Sequence, residues 1–117
     1  MRVVYYAHCL AIFNTPQEER DITLLERLGY SVFNPNCKYC ADGYKAFGME
    51  FFDGLVKECD VFAFRALPDG RIPAGVAKEI EFARKYDKPV IELPSGVVRR
   101  EMNALQTREY LSESGQR

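Results

Sequence analysis

The sequence lacks an excess of charge of either sign, since 16 Lys and Arg residues are balanced by 17 Asp and Glu residues. It contains no run of basic residues, so it gives no indication of nucleic-acid binding. No apolar run approaches the roughly 20 residues that a membrane-spanning helix requires. Of its 117 residues, 47% are hydrophobic and 13% are aromatic. This composition predicts a folded domain with one core and excludes a disordered protein.

We expect the first residues to form a strand rather than a secretion leader. Residues 1–6 are apolar, but the run is short, and the segment 15–20 that follows has no cleavage-site pattern. Cysteine occurs four times, at positions 9, 37, 40 and 59. Without a leader, and with a normal core, reduced thiols are expected rather than disulfides. We therefore expect a cytoplasmic protein.

Hydrophobic patterns divide the chain into alternating strands and helices. Strands are predicted at residues 2–7, 30–33, 60–65 and 88–93, where β-branched, aromatic and aliphatic residues cluster. Helices are predicted at residues 16–28, 45–59, 74–86 and 98–111, with a loop over 35–44 and a flexible tail over 112–117. In the first helix, Thr15 is the expected N-cap, Glu18 is expected to complete a capping box, and Gly29 is expected to end the helix.

This alternation predicts a single α/β domain over residues 1–111, with a parallel sheet of four or five strands and right-handed crossovers. Sheets of this kind place their binding sites beyond the carboxyl ends of the strands. Those ends are predicted at residues 7–9, 34–36, 66–72 and 93–95. A functional site is therefore expected where these four segments meet.

The helix predicted after the third strand carries the most informative residues. Its first turn contains Gly75, and a small residue there lets a ligand approach the backbone closely. Its buried face is predicted to hold Val76, Ile80 and Ala83. Glu79 lies at the border of that face, near the amino end of the helix, where the helix dipole favours a carboxylate. The sequence therefore predicts that Glu79 points into the cleft at the sheet edge.

Five short motifs occur in order along residues 2–93. They are Val4-Tyr5-Tyr6-Ala7, Leu28-Gly29-Tyr30-Ser31-Val32-Phe33-Asn34-Pro35, Asp60-Val61-Phe62-Ala63, Glu79-Ile80-Glu81-Phe82-Ala83 and Lys88-Pro89-Val90-Ile91. Together they resemble the nucleoside 2-deoxyribosyltransferase-like family. The resemblance implies a flavodoxin-like (Rossmann-like) three-layer sandwich with strand order 2-1-3-4-5. The chain departs from the family pattern at Glu81, where glycine is usual, and at residues 8–10, where small residues are usual.

The resemblance implies cleavage or exchange of the N-glycosidic bond of a nucleoside or nucleoside monophosphate. The family glutamate that matches Glu79 attacks the anomeric carbon and forms a glycosyl-enzyme, and a carboxylate suits the oxocarbenium-like centre of such a reaction. The family aromatic residue that matches Tyr5 hydrogen bonds this nucleophile. Asp69 is the nearest match to an aspartate that contacts the leaving base or the sugar. Asp60 matches an aspartate that helps to bind the base.

Other polar residues are candidate substrate ligands because of their positions at the predicted strand ends. His8 is the only histidine and follows the first strand, where an imidazole suits acid–base work near neutral pH. Ser95 follows the fourth strand and could hold a phosphate, as could Arg65 or Arg71. These assignments leave the base, the sugar and the need for a phosphate open.

Two other classes of function remain open. The chain could be a non-catalytic module that binds nucleotides. Cys37 and Cys40 form a CxxC pair that, together with His8, Cys9 or Cys59, is compatible with a metal site or a reversible disulfide, although incidental thiols are the default. We expect a small-molecule nucleoside or nucleotide as ligand, no cofactor, no metal and no nucleic-acid or membrane partner. By analogy with the family, we expect a homo-oligomer, since its members often complete the site from a neighbouring subunit.

Overall fold

The computed structural model describes residues 1–95 and 102–115. Within these residues, four strands form one sheet: β1 (Val3–Ala7), β2 (Ser31–Phe33), β3 (Val61–Phe64) and β4 (Val90–Glu92). The helices are α1 (Pro16–Arg27), α2 (Lys38–Phe47), α3 (Glu50–Glu58), α4 (Ala74–Lys85) and α5 (Ala104–Glu113), and a short 3-10 helix at Leu10–Ile12 follows β1.

All strand pairs are parallel, and the strand order is β2-β1-β3-β4. Tyr5, in the middle of β1, lies in register with Phe33 of β2 and Phe62 of β3. All four residues of β3 are buried, as its continuous apolar sequence predicts. The prediction of a flavodoxin-like α/β fold with a parallel sheet is confirmed, with four strands among the described residues.

Alternate residues of the central strands supply the two faces of the sheet, and each face has its own core. On one face, Val4 and Tyr6 of β1 pack with Leu25 of α1. On the other face, Tyr5 packs with Val56 of α3 and with residues of α4. This arrangement gives the three layers, and it places Tyr5 on the same side of the sheet as α4.

The segment from residue 35 to residue 59 differs from the prediction of a loop followed by one long helix. The structure has two helices, and α2 already begins at Lys38, after an extended N-cap at Cys37. It ends at Gly48, whose φ of +69° lies in the left-handed region that glycine adopts most easily. Gly43 has no side chain to separate α2 from α3, so the Phe51 ring of α3 packs directly against it. Gly48 therefore ends one helix where the periodic pattern alone predicts a continuous one.

The ends of the other helices agree in part with the predictions. The Thr15 side chain accepts a hydrogen bond from the Glu18 backbone, and Gly29 has a positive φ after α1, as expected. The capping box is wrong, because the Glu18 carboxylate turns to His8 instead of the N-cap backbone. The helix predicted at 98–111 begins at Ala104 and continues to Glu113, into the predicted tail, and residues 98–101 lie outside the described part of the chain.

Across residues 1–95 and 102–115, no helix is both long enough and apolar enough to cross a lipid bilayer.

Candidate active site

Glu79 and Tyr5 meet at a cleft beyond the carboxyl ends of the strands. The Tyr5 hydroxyl donates a buried hydrogen bond to the Glu79 carboxylate. Glu79 lies in the second turn of α4 and is only 8% exposed, although it lines the cleft. Glu79 lies at the cleft at the edge of the sheet, where helix periodicity predicts it, and it contacts the tyrosine that the family resemblance pairs with it.

Tyr5 is held in place by aromatic packing. Its ring stacks on the rings of Phe33 and Phe62, with 5.6 Å between ring centroids in each case. These contacts follow from the register of the three strands, because Tyr5 has a phenylalanine beside it on each side. The hydroxyl oxygen is thereby fixed at the point where Glu79 enters from α4.

Burial decides the protonation behaviour of this pair. It raises the pKa of Glu79 to about 7, while the hydrogen bond from Tyr5 lowers it. Burial, followed by the charge of Glu79, raises the pKa of Tyr5 far above its ordinary value. Tyr5 therefore stays a neutral donor, and Glu79 exchanges a proton near neutral pH.

The cleft has a volume of about 650 Å³ and is lined mainly by apolar atoms. Volumes of this size are typical of sites for small organic molecules. The apolar side chains that line it include Leu10, Phe13, Pro35, Tyr44, Met49, Phe52 and Val76. The polar residues include Asp42 and Lys45 of α2, and Gly75 lies at the start of α4. The predicted position of Gly75 beside a ligand-sized space therefore agrees with the structure.

His8 also borders the cleft, and its two ring nitrogens face only hydrogen-bond acceptors. One nitrogen lies 3.1 Å from the Tyr6 carbonyl oxygen, and the other lies 2.7 Å from a Glu18 carboxylate oxygen. The imidazole is thus held between the β1 backbone and the Glu18 carboxylate of α1. The His8 side chain is fully buried, and it therefore supports the loop after β1.

A second buried hydrogen-bond network lies on the opposite face of the sheet from Tyr5, beside α1. The Arg65 guanidinium donates to both carboxylate oxygens of Asp21, at 2.9 and 2.5 Å, and also to the Pro94 carbonyl oxygen. Tyr6 donates to the same carboxylate at 2.6 Å. Arg65 is therefore already paired. The Asp21–Arg65 pair was not predicted from the sequence. Its one signal is the helical spacing of Glu18, Asp21 and Leu25, which are all buried on one face of α1.

Three predicted site residues lie away from the cleft lining. The Asp69 carboxylate accepts a hydrogen bond from Arg71 at 2.6 Å in the exposed loop after β3. The Asp60 carboxylate accepts one from the Val3 backbone at 2.8 Å, at the amino ends of the strands. Ser95 is half-buried after β4. The structure therefore brings together Glu79, Tyr5, His8 and Gly75, but does not bring Asp69, Asp60 or Ser95 to the same cleft.

The cysteines do not form a metal-ligand cluster. Among the described residues, no group of three or more His, Cys, Asp or Glu side chains is arranged to hold a metal ion. Cys37 is exposed, while Cys40 is buried in the wall of the cleft. Cys59 lies in the core between α3 and β3.

Comparison with known proteins agrees with the fold. No protein-family model matches the chain, and a search of curated proteins found no significant match. Among solved structures, the chain is similar to the Clostridium botulinum CMP N-glycosidase BcmB, with a TM-score of 0.53 and 20% sequence identity. The similarity covers 99% of this chain and 100% of the other. The two proteins therefore share a fold over their whole length.

Proposed function

We propose that this protein cleaves the N-glycosidic bond of a nucleoside or nucleoside monophosphate, with Glu79 as the nucleophile. The observation that carries the proposal is the buried hydrogen bond from Tyr5 to the Glu79 carboxylate at the edge of a cleft of ligand size. A carboxylate so placed can stabilise an oxocarbenium-like centre and bond to it covalently.

In the first step, a Glu79 carboxylate oxygen attacks the anomeric carbon of the sugar. The bond between that carbon and the base nitrogen breaks, and its electron pair leaves with the base, which takes a proton from water. In the second step, water or a second base attacks the same carbon and releases the carboxylate. The attacking molecule loses one proton, which neutralises the hydroxide left by the first step. Attack by water gives hydrolysis, and attack by a base gives transfer.

Tyr5 has the role of a positioning residue in this reaction. Its hydrogen bond holds one carboxylate oxygen of Glu79, which leaves the other oxygen free to meet the anomeric carbon. The same bond favours the ionised, nucleophilic form of Glu79 against the effect of burial. The aromatic stack with Phe33 and Phe62 prevents the hydroxyl from moving away.

The apolar cleft and the structural similarity support the choice of substrate class. The apolar and aromatic walls suit a flat heterocyclic base, and the volume of about 650 Å³ suits a nucleoside or a nucleoside monophosphate. BcmB is described as a CMP N-glycosidase, and it has the same fold. We therefore place the base against the walls of the cleft and the sugar beside Glu79.

The departure from the family pattern at Glu81 does not affect the cleft. Glu81 is exposed and lies 3.4 Å from Lys78 on the outer side of α4. It therefore provides a matched control, because it is a glutamate two residues away on the same helix.

The test is to measure the release of free base from a panel of deoxyribonucleosides, ribonucleosides and their monophosphates, with and without an acceptor base. We expect release from one substrate class, loss of release in Glu79→Gln, and retention in Glu81→Gln. Unchanged release in a folded Glu79→Gln variant would exclude Glu79 as the nucleophile. Tight binding by calorimetry without any product would instead support the non-catalytic binding module.

A further inference from the structure

Cys37 and Cys40 occupy the first turn of α2, where they can react with each other. Cys37 is the N-cap residue, and its carbonyl accepts the first helical hydrogen bond from the Ala41 backbone at 3.0 Å. Two residues three positions apart at a helix start have Cα atoms about 5 Å apart. That separation falls within the range that a disulfide bridges.

The two thiols also differ in access to solvent and in reactivity. Cys37 is exposed, so it is open to an oxidant in solution, whereas Cys40 is only 1% exposed. Burial, followed by the neighbouring Cys37 thiol, raises the pKa of Cys40 to about 12. An accessible thiol with a second thiol one helical turn away is the arrangement of an attacked and a resolving cysteine, and the raised pKa of Cys40 makes the second step slow.

Cys40 connects this pair to the candidate active site. It lines the cleft together with Glu79, and the Glu79 charge contributes to the raised pKa of Cys40. The next residues of α2, Ala41 and Asp42, also line the cleft. A bond between Cys37 and Cys40 would hold the two sulfurs about 2 Å apart and so fix the position of the Cys40 side chain. It would thereby alter the wall of the cleft.

We propose that Cys37 and Cys40 form a reversible disulfide under peroxide, and that this disulfide lowers the activity of the adjacent cleft. The second half of the proposal rests on the function proposed above. The site is an oxidative modification site of two thiols, and it requires no metal.

The chemistry balances with hydrogen peroxide as the oxidant. The Cys37 thiol loses its proton and attacks one peroxide oxygen, which forms a sulfenic acid on Cys37 and releases one water. The Cys40 sulfur then attacks the Cys37 sulfur, forms the disulfide and expels the second water. Two thiols are oxidised by two electrons, and one peroxide is reduced to two waters. A dithiol reductant such as dithiothreitol reverses the change and is itself oxidised to a cyclic disulfide.

The first test is chemical and is independent of catalysis. After treatment of the full chain with hydrogen peroxide, we expect the loss of two of the four thiols and a mass lower by two hydrogen atoms, both reversed by dithiothreitol. Peptide mapping should join residue 37 to residue 40. Cys37→Ser should abolish the disulfide, and Cys9→Ser should not, although Cys9 also lines the cleft. A monomer that keeps four thiols, or one that forms its disulfide elsewhere, would overturn the proposal.

The second test compares base release by the reduced and the oxidised protein. We expect kcat/KM to fall about tenfold on oxidation, as a shift of the cleft wall by a fraction of an ångström predicts, and to recover with dithiothreitol. Peroxide should leave Cys37→Ser fully active. Equal activity of both forms, with the disulfide confirmed by mass, would refute the effect on the cleft. A disulfide in a protein that releases no base in either form would refute the proposed function and leave the modification site supported.

Discussion

Tyr5 and Glu79 are 74 positions apart in the sequence, yet the Tyr5 hydroxyl donates a buried hydrogen bond to the Glu79 carboxylate. Two features of the fold bring them together. β1 lies between β2 and β3, and Tyr5 points to the face that α4 covers. Glu79 lies on the side of α4 that closes this face, so its carboxylate meets the tyrosine at the edge of the cleft.

Replacing Tyr5 by phenylalanine should weaken catalysis without emptying the core. The variant keeps the ring stack on Phe33 and Phe62 and loses only the hydrogen bond to Glu79. A hydrogen bond to a charged group contributes about 1.5–3 kcal/mol, so kcat/KM should fall about 10- to 100-fold. The rising limb of the pH–rate profile should also move above about 7, because this bond lowers the pKa of Glu79.

Tyr6→Phe is the matched control for that experiment. Tyr6 is the next residue of β1 but faces the opposite core, where it donates to Asp21. Its replacement should lower stability and leave the position of the rising limb unchanged. An equal shift of the limb in both variants would mean that the effect of Tyr5→Phe is not specific to Glu79.

Replacing Glu79 by glutamine should stabilise the protein at alkaline pH. Glu79 has an ordinary pKa of 4.5 that rises to about 7 in the fold, so the folded state holds its proton more tightly than the unfolded state. The contribution of Glu79 to stability therefore declines as the pH rises from about 4.5 to about 7. A shift of this size corresponds to about 3 kcal/mol. In urea unfolding, we expect the free energy of unfolding of Glu79→Gln, relative to that of the wild type, to rise by up to this amount between pH 4.5 and pH 8.

The exposed Glu81 should not show this effect, since Glu81→Gln changes a carboxylate that remains in water. The difference in unfolding free energy between Glu81→Gln and the wild type should therefore stay nearly constant from pH 4.5 to pH 8. If the difference in unfolding free energy between Glu79→Gln and the wild type is equally constant with pH, then the Glu79 carboxylate is not destabilised by burial. The cost of burying Glu79 is the type of strain that active sites retain for function.

The sheet could be predicted from the sequence because each strand is marked by the residues within it. The apolar runs of β1 and β3 indicate strands buried on both faces, and the alternation with helices determines a parallel sheet. The site was predicted in part: the position of Glu79 follows from helix periodicity, whereas its contact with Tyr5 came from a family resemblance. The break at Gly48 was not predicted, since a glycine within an apolar helical pattern either weakens a helix or ends it. Only the packing of α2 on α3 decides between these outcomes.

Gly43→Ala should destabilise the protein although it raises helix propensity. A Cβ at residue 43 would overlap the Phe51 ring, so either the ring or α2 must move. Overpacking of this type costs about 1–3 kcal/mol, more than the gain of up to about 1 kcal/mol from replacing a helical glycine. Gly54→Ala is the control, because a Cβ there meets no atom and should be neutral or stabilising. Chemical denaturation of both variants measures the difference, and a stable Gly43→Ala would show that α2 adapts freely.

Asp21→Asn should cost more stability than any surface charge change, because it leaves the buried Arg65 guanidinium without its counter-ion. Breaking a buried ion pair by removing one partner costs about 3–5 kcal/mol. Burial raises the pKa of Asp21, but hydrogen bonds from Arg65, Tyr6 and Gln17 outweigh it and lower the pKa below its ordinary value of 3.8. The stability that Asp21 contributes is therefore present above about pH 4 and is lost as the pH falls further. In urea unfolding, the free energy of unfolding of Asp21→Asn should lie well below that of the wild type at pH 7, and this difference should narrow toward pH 3. Asp42→Asn is the control, because it changes an exposed pair with Lys38 and should cost less than about 1 kcal/mol. A difference between Asp21→Asn and the wild type that stays constant with pH would mean that the carboxylate charge of Asp21 is not what stabilises the network.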